Sequence, residues 1–335
     1  MKVSLKKMEI FFCDNVDIKS TSEGLDKDFE VHLFGRNSKK QRAHKINIKN
    51  IKINNNFYSY LLDVYKTLKK DNSKYLIISL SPYTFLTAVF LRLFKKKLFV
   101  YLRSDGYGEY KAILGFPGIF VYHLMFSIAS HISLFISCRK YILRKKFGEV
   151  VLPSQLNSNW LINHKKPNLE KIRLLYVGRI RKEKGVFSLL KLIKKIEVKL
   201  NLTIVGAEKD FDRSTLDKNI NIFDVESDEK KLIEHYDNHN IFILPSFTEG
   251  HPMALLEALS RMRPVIIFKE IHHVIENKKG IFISNRDSKS LKGTIDHIMK
   301  NYLKIQNDMK KNKLPLKSKF ISDIKNIILK KNLHK

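Results

Sequence analysis

The sequence predicts an α/β protein of two doubly wound, parallel-sheet domains, and three observations carry that prediction. Its 335 residues, 44% of them hydrophobic, can fill two cores of ordinary size. Short apolar runs alternate with stretches of helical period, as strands and crossover helices of parallel sheets do. Near the middle, the Pro- and Asn-rich passage PSQLNSNWLINHKKPNLEK at 153–171 interrupts the alternation and places a domain boundary near residue 160.

In the first half, EIFFCD at 9–14 reads as a buried strand, FEVHLFGR at 29–36 as a second, and the alternating INIKNIKIN at 46–54 as a third, partly exposed one. Helical period follows at 57–69, then a strand at 75–81, a helix at 83–94 and a strand at 97–102. The stretch RSDGYGE at 103–109 reads as a charged loop beyond a strand's carboxyl end, where such a sheet puts its ligand crevice. Asp105-Gly106 also fits a plain turn. Residues 115–138 lack Asp, Glu, Lys and Arg and reach membrane length, but their glycines, Pro117, histidines and serines favour a buried or interfacial helix followed by the strand ISLFIS. His123 and His131 read there as core histidines in preference to groups that face a membrane-borne acceptor. A basic amphipathic turn at 141–146 suits anionic lipid, and 150–152 closes the half as a strand.

The second half opens with a strand at 172–177, the loop GRIRKEKG at 178–185 and a helix at 186–196. A glycine-flanked basic loop that opens a helix is a phosphate seat, with Arg179 able to fork and Lys184 acting as a point charge. Taken alone it also fits a solvated surface. Strands at 202–206 and 219–225 and a helix at 228–236 lead into IFILPSFTEGHPMALLEALSRMRPVIIF at 241–268, which reads as strand, loop, helix, strand. Pro252 suits the first helical position, so the amides of Met253, Ala254 and Leu255 point at a ligand. Glu249 ahead of the helix and Glu257 inside it repel phosphate but grip hydroxyls. Phosphate beside hydroxyls suggests a nucleotide sugar. Amphipathic helices at 288–302 and 321–329 flank a very basic stretch at 304–319.

Pro245-Ser246, Glu249-Gly250-x-Pro252, Glu257 eight residues after Glu249 and the closing Pro264-Val265 together resemble the signature of the family 4 (group 1) retaining glycosyltransferases. That resemblance implies the GT-B fold, two Rossmann-like doubly wound parallel-sheet domains facing a central cleft. It implies an acceptor-side domain at 1–160, a nucleotide-sugar domain at 161–315, and a terminal helix at 316–335 crossing back to the first. Glu249 then contacts the transferred sugar, the backbone from Gly250, His251 and Pro252 to Met253 contacts sugar and diphosphate, and Glu257 holds the ribose. Gly178, Arg179, Lys184 and Gly185 match the family's Gly-Arg-x4-Lys-Gly element, which binds the diphosphate as leaving group. Gly206 and Ala207 fall where the family frames the base, with the backbone at 223–225 as a further base contact. Asp105 is the acceptor-side candidate and Arg103 a contact for an anionic acceptor. Pro153, Ser154 and Asn157 match the interdomain string.

Three departures stand out. Met262 occupies the family's usual glycine, and a methionine without left-handed freedom predicts a different turn into the next strand. The loop at 14–24 offers only Gly24 where relatives have a glycine pair. The loop at 269–280 carries His272 and His273 instead of glycines.

The net charge of +30 is the strongest compositional signal. Lys, Asn and Ile are abundant throughout, so A+T-rich coding on solvated faces explains it as well as a function does. The functional readings are anionic membrane, a pyrophosphate-bearing acceptor or nucleic acid, and no helix-turn-helix, zinc finger or RNA-binding strand motif accompanies the charge. Membrane is preferred and nucleic acid is not expected. Two cysteines, Cys13 and Cys138, give neither a disulfide framework nor metal-ligand spacing. A strand-like MEIFF in place of a signal peptide adds to a cytoplasmic expectation at the inner face of the cell membrane.

The resemblance thus implies a metal-independent hexosyltransferase that uses a UDP- or GDP-sugar as donor substrate, with no cofactor, on a glycan or lipid-linked acceptor in polysaccharide or lipopolysaccharide synthesis. A non-catalytic scaffold of the same fold and a nucleotide-sugar epimerase are the rivals.

Overall fold

The computed structural model describes residues 10–11, 16–36, 46–69, 73–196, 199–208, 211 and 217–330. The chain divides into two compact units, unit 1 being Met1–Gln155 with Lys317–Lys335 and unit 2 Leu156–Leu316.

Unit 1 begins with β1 (Ile10–Phe11); the rest of the strand expected at 9–14, Cys13 included, lies outside the described residues. There follow α1 (Val16–Leu25), β2 (His32–Arg36), β3 (Asn50–Asn54), α2 (Phe57–Thr67), β4 (Lys74–Ile78), α3 (Pro82–Leu93), β5 (Lys97–Leu102), α4 (Gly106–Leu114), α5 (Phe116–Ile132), β6 (Leu134–Ser137) and β7 (Gly148–Val150). The strands pair in parallel in the order β3-β2-β1-β4-β5-β6-β7. Because side chains alternate along a strand, β5 sends Leu98, Val100 and Leu102 into a core under α2, α3 and α5, and Phe99 and Tyr101 into a second core on the other face. Helix starts are written locally: Asn56 accepts from the Ser59 amide, and Ser81 with Thr84 makes a capping box ahead of Pro82.

Several expectations change here. The stretch at 103–109 is a loop only as far as Asp105. That side chain accepts from the Tyr107 amide and starts α4, and Gly106 permits it because a Cβ there would stand 2.0 Å from the Tyr122 ring. Residues 16–24 are helical rather than a ligand loop, and Gly24 lets α1 pack closely on Ile321. His123 and His131 are exposed on α5, with Tyr107 and a backbone carbonyl as partners, and neither is a core histidine. No described helix is long and apolar enough to cross a membrane.

Unit 2 runs β8 (Ile172–Val177), α6 (Val186–Ile193), β9 (Leu200–Ala207), β10 (Ile220–Asp224), α7 (Glu229–Asp237), β11 (Ile241–Leu244), α8 (Met253–Ser260), β12 (Val265–Phe268), β13 (Ile281–Ser284), α9 (Ser288–Lys300) and α10 (Tyr302–Met309). Its strands are all parallel in the order β10-β9-β8-β11-β12-β13 around one contiguous core. The order reverses between the central neighbours β8 and β11, so the loops beyond their carboxyl ends flank the crevice where doubly wound sheets bind ligands. The chain then re-enters unit 1 as α11 (Lys317–Leu329). Phe320, Ile324, Ile327 and Ile328 of α11 join the core beneath α1, and Lys325 pairs with Asp28 at 2.8 Å.

The turn after α8 corrects the reading of Met262. This residue adopts the left-handed conformation after all, with φ of 57°. The Arg263 amide bonds the Ala258 carbonyl at 2.9 Å and the Met262 amide bonds that of Leu259 at 3.1 Å, which completes a Schellman turn with methionine in the glycine position. The turn is kept, at a backbone cost of about 1–2 kcal/mol.

Candidate functional site

The two loops at the switch point interlock. Beyond β8, Gly178 donates to the Val205 carbonyl at 2.9 Å and the Tyr176 hydroxyl donates to the Arg179 carbonyl at 2.9 Å, fixing the loop's entry. Burial, and then the nearby Glu249 charge, keep that hydroxyl protonated far above the ordinary tyrosine range. A 3-10 turn at Lys182–Lys184 ends on Gly185, whose φ is 68° and whose Cβ would meet the Pro245 carbonyl oxygen at 1.9 Å. Only glycine satisfies both demands. The Phe247 amide donates to the Glu183 carbonyl at 2.9 Å, so the loop after β11 is tied to the loop after β8 through backbone.

That contact brings Lys184 and Glu249 together: Lys184 Nζ stands 2.6 Å from Glu249 Oε1, and Ser246 Oγ donates to the same oxygen at 2.6 Å. His273 Nε2 donates to the Glu249 carbonyl at 2.7 Å, so the glycine-poor loop supports the glutamate's backbone. Arg179 is exposed on the rim of the same loop. Gly250 and His251 are half-buried and lead to α8, where Pro252 takes the N-cap position (φ −74°, ψ 111°) rather than the first helical one, and Met253 opens the helix. The unpaired amides of this first turn, Met253 and Ala254 among them, form the positive end of α8.

Glu257 is buried one turn further on, and its Oε2 accepts a 2.7 Å hydrogen bond from Tyr236. Burial pushes its carboxyl up to about 7, against the opposing effect of the tyrosine hydrogen bond. Tyr236 thus fixes one of its two carboxyl oxygens.

Sequence reasoning missed Tyr236 and Arg286. The Arg286 guanidinium lies 4.0 Å from the Phe247 ring centroid and 4.3 Å from that of Phe268. It donates to the carbonyls of Pro245 at 3.0 Å and Ser246 at 3.3 Å, and to Glu270 Oε1 at 2.7 Å. Burial alone would raise the Glu270 carboxyl, but hydrogen bonding and charge from Arg286 bring it below its ordinary value. Arg286 thus clamps the loop that carries Ser246 and Glu249. It sits just ahead of Asp287, the α9 cap, and nothing in that local pattern points to a loop so far back in the chain.

Unit 2 therefore holds Gly178, Arg179, Lys184, Glu249, the 250–254 stretch and Glu257 at one switch point, while Asp105 belongs to unit 1 as the cap of α4. Among the described residues, no group of three or more His, Cys, Asp or Glu is placed to hold a metal ion. A cavity of about 740 Å³ lies at the opposite end of α8, lined by residues such as Leu259, Met262, Leu303 and Met309, and includes none of this set.

Residues 160–314 match the family described as glycosyl transferases group 1. That match covers most of unit 2 and slightly less than half of the chain. An uncharacterized glycosyltransferase of Haemophilus influenzae is 28% identical over 160 residues, 44% of this chain and 45% of that protein. The Staphylococcus aureus capsular polysaccharide biosynthesis glycosyltransferase CapM is 27% identical over 137 residues, 37% of this chain and 36% of that protein. The chain thus spans less than half the length of these curated relatives. The crystal structure of Anabaena HepE with UDP and glucose shares the fold of this chain, with a TM-score of 0.72 over 96% of this chain and 99% of that one at 12% identity. The group 1 assignment and the two parallel-sheet units agree with the fold that the Glu249-Gly250-x-Pro252…Glu257 pattern implies.

Proposed function

We propose that this chain transfers a sugar from a nucleoside diphosphate sugar, a UDP- or GDP-sugar, to a glycan or lipid-linked acceptor, with retention at the anomeric carbon. One observation carries the reading: the Lys184–Glu249 pair at the β8/β11 switch point, beside the open N-terminus of α8. When a donor enters, its diphosphate takes Lys184 and Arg179 together with the α8 amides, and the freed Glu249 carboxylate accepts from the sugar's hydroxyls. Glu257, with Tyr236 on Oε2, offers Oε1 to the ribose.

The acceptor hydroxyl attacks the anomeric carbon on the face that the diphosphate leaves. The new C–O bond forms as the bond from sugar to phosphate breaks, and the acceptor's proton passes to the departing phosphate oxygen. Arg179 and Lys184 offset the charge growing on that group, so the proposal needs neither metal nor separate cofactor. Asp105 is the polar contact proposed for the acceptor side. The UDP and glucose named for Anabaena HepE and the capsular polysaccharide role named for CapM support a hexosyl donor and a cell-surface polysaccharide or lipopolysaccharide product. The site of action is the cytoplasmic face of the membrane, with peripheral contact to anionic lipid, and no nucleic acid takes part.

Mass-spectrometric assay of the full chain against UDP-, GDP- and dTDP-sugars tests this, with and without chelator. The expected result is chelator-insensitive turnover of one donor to a product that NMR shows to keep the donor's anomeric configuration, lost on Arg179→Ala. Failure of every donor to bind or turn over overturns the proposal in favour of a non-catalytic scaffold.

A further inference from the structure

α5 carries an apolar face that unit 1 leaves uncovered. Phe116, Phe120, Leu124 and Ile128 recur every fourth residue and so run along one side of the helix, away from the buried Tyr122, Met125, Phe126 and Ala129. Phe116, Phe120 and Leu124 keep 67%, 63% and 61% of their surface exposed, and Ile113 at the end of α4 keeps 74%. Phe116 and Phe120 stack edge to face at 5.4 Å, a preformed aromatic knob at the α4–α5 corner. From residue 112 to 138 there is no Asp, Glu, Lys or Arg. A helix exposed to water with no charged complement on its outer face is unusual for a surface meant to stay wet.

Cations frame this face. Lys111 lies in the last turn of α4, and the turn after β6 adds exposed Lys140, Arg144 and Lys145. Arg144 lies 4.0 Å from the Tyr107 ring centroid, and the Tyr107 hydroxyl is 2.9 Å from His123 Nδ1 on α5, so the basic turn is tethered beside the apolar stripe. Of the nearby carboxylates, Asp105 is engaged as the α4 cap, Glu149 pairs with Lys330, and Glu109 is exposed. Aromatic and aliphatic side chains in the middle, cations at the edge and a net charge of +30 complement a surface with an oily interior and anionic headgroups. A second copy of the chain would bring two such cation rims together and repel.

We infer that the α4–α5 face docks on an anionic lipid bilayer, with the Phe116–Phe120–Leu124 stripe entering the headgroup boundary to a depth of about 5–10 Å. The 140–146 turn rests on the lipid phosphates. This takes up the membrane contact proposed above and does not depend on the transfer chemistry.

Flotation of the full chain with vesicles tests it, comparing pure phosphatidylcholine with vesicles holding about a third phosphatidylglycerol. Wild-type protein floats with the anionic vesicles and loses binding as salt rises. The triple variant Phe116→Ser/Phe120→Ser/Leu124→Ser lowers binding at least about tenfold, and Lys145→Glu/Lys146→Glu removes the preference for anionic lipid. Phe120→Trp shifts its emission to the blue on vesicles, whereas Trp160, buried in unit 2, gives a constant background. Donor hydrolysis by the triple variant stays at the wild-type level, which separates this proposal from the transferase reading. The inference is overturned if wild type ignores both vesicles, if the triple variant binds as well as wild type, or if light scattering shows a dimer that the triple variant abolishes.

Discussion

The two ends of α8 both carry ion pairs, and the difference between them separates a charge that holds the fold from a charge that can hold a ligand. At the C-terminal end, Arg261 forks onto Asp237 at 2.9 and 2.7 Å and also donates to the carbonyls of Ile162 at 2.7 Å and Asn163 at 2.9 Å. Arg263 donates to the carbonyls of Lys165, Tyr236 and Asp237. Both side chains are 1% exposed, and together they staple the segment at 159–165 to the rest of unit 2. At the N-terminal end, Lys184 keeps 23% of its side chain exposed and meets a carboxylate shared with a serine. An ammonium has three donors on a flexible stem, so this pair can open onto an anionic ligand, whereas the arginine fork has nowhere else to go.

The sharpest break of the comparison is Arg261→Ala, which strands Asp237 and several carbonyls and lowers the unfolding free energy by about 3–5 kcal/mol in urea titration. Turnover per folded molecule stays near wild type if the C-terminal end is purely structural.

Glu257, between the two ends, sets a pH signature. Its carboxyl sits near 7 in the folded protein against 4.5 ordinarily, so between those values the folded state holds a proton that the unfolded state has shed. The stability it contributes is fully present below the lower value and is lost as pH rises through the higher one, by up to roughly 3 kcal/mol. Glu257→Gln flattens that loss when unfolding is compared at about pH 5 and about pH 8.

A smaller effect comes from Arg286, which positions the glutamate loop without belonging to either ion pair. Arg286→Ala lowers kcat by roughly tenfold and stability by about 1–2 kcal/mol. Arg286→Lys restores little, because one ammonium cannot span two carbonyls, Glu270 and two rings. Equal kinetics in the lysine variant would reduce Arg286 to a generic charge.

The smallest effect is at Met262. Met262→Ala and Met262→Gly lose the same side-chain packing, and the glycine variant is the more stable by about 1 kcal/mol because it relieves the left-handed backbone. Equal midpoints in thermal unfolding would show that the turn carries no strain.

The legible parts of this chain were those with a local pattern. Apolar runs such as KLFVYL and VIIF marked buried parallel strands, and the Gly178…Lys184 and Glu249…Glu257 spacings marked two loops that the sheet order puts side by side at one crevice. What stayed hidden was set by packing across distance. Residues 106–109 looked like loop, yet Gly106 leaves room for the Tyr122 ring and Asp105 caps a helix there. Tyr236 and Arg286 touch the motif from other elements, so no spacing announces them. Met262 was read through intrinsic preference alone, and the two backbone hydrogen bonds of the Schellman turn overrode that preference.

The most direct test of the account is turnover of the cognate donor by Lys184→Ala and Glu249→Gln, with thermal midpoints recorded on the same samples. The expected result is a fall of about 100- to 1000-fold in kcat/KM with midpoints essentially unmoved. Wild-type turnover in both variants, or a loss of activity that merely follows a loss of folded protein, would contradict it.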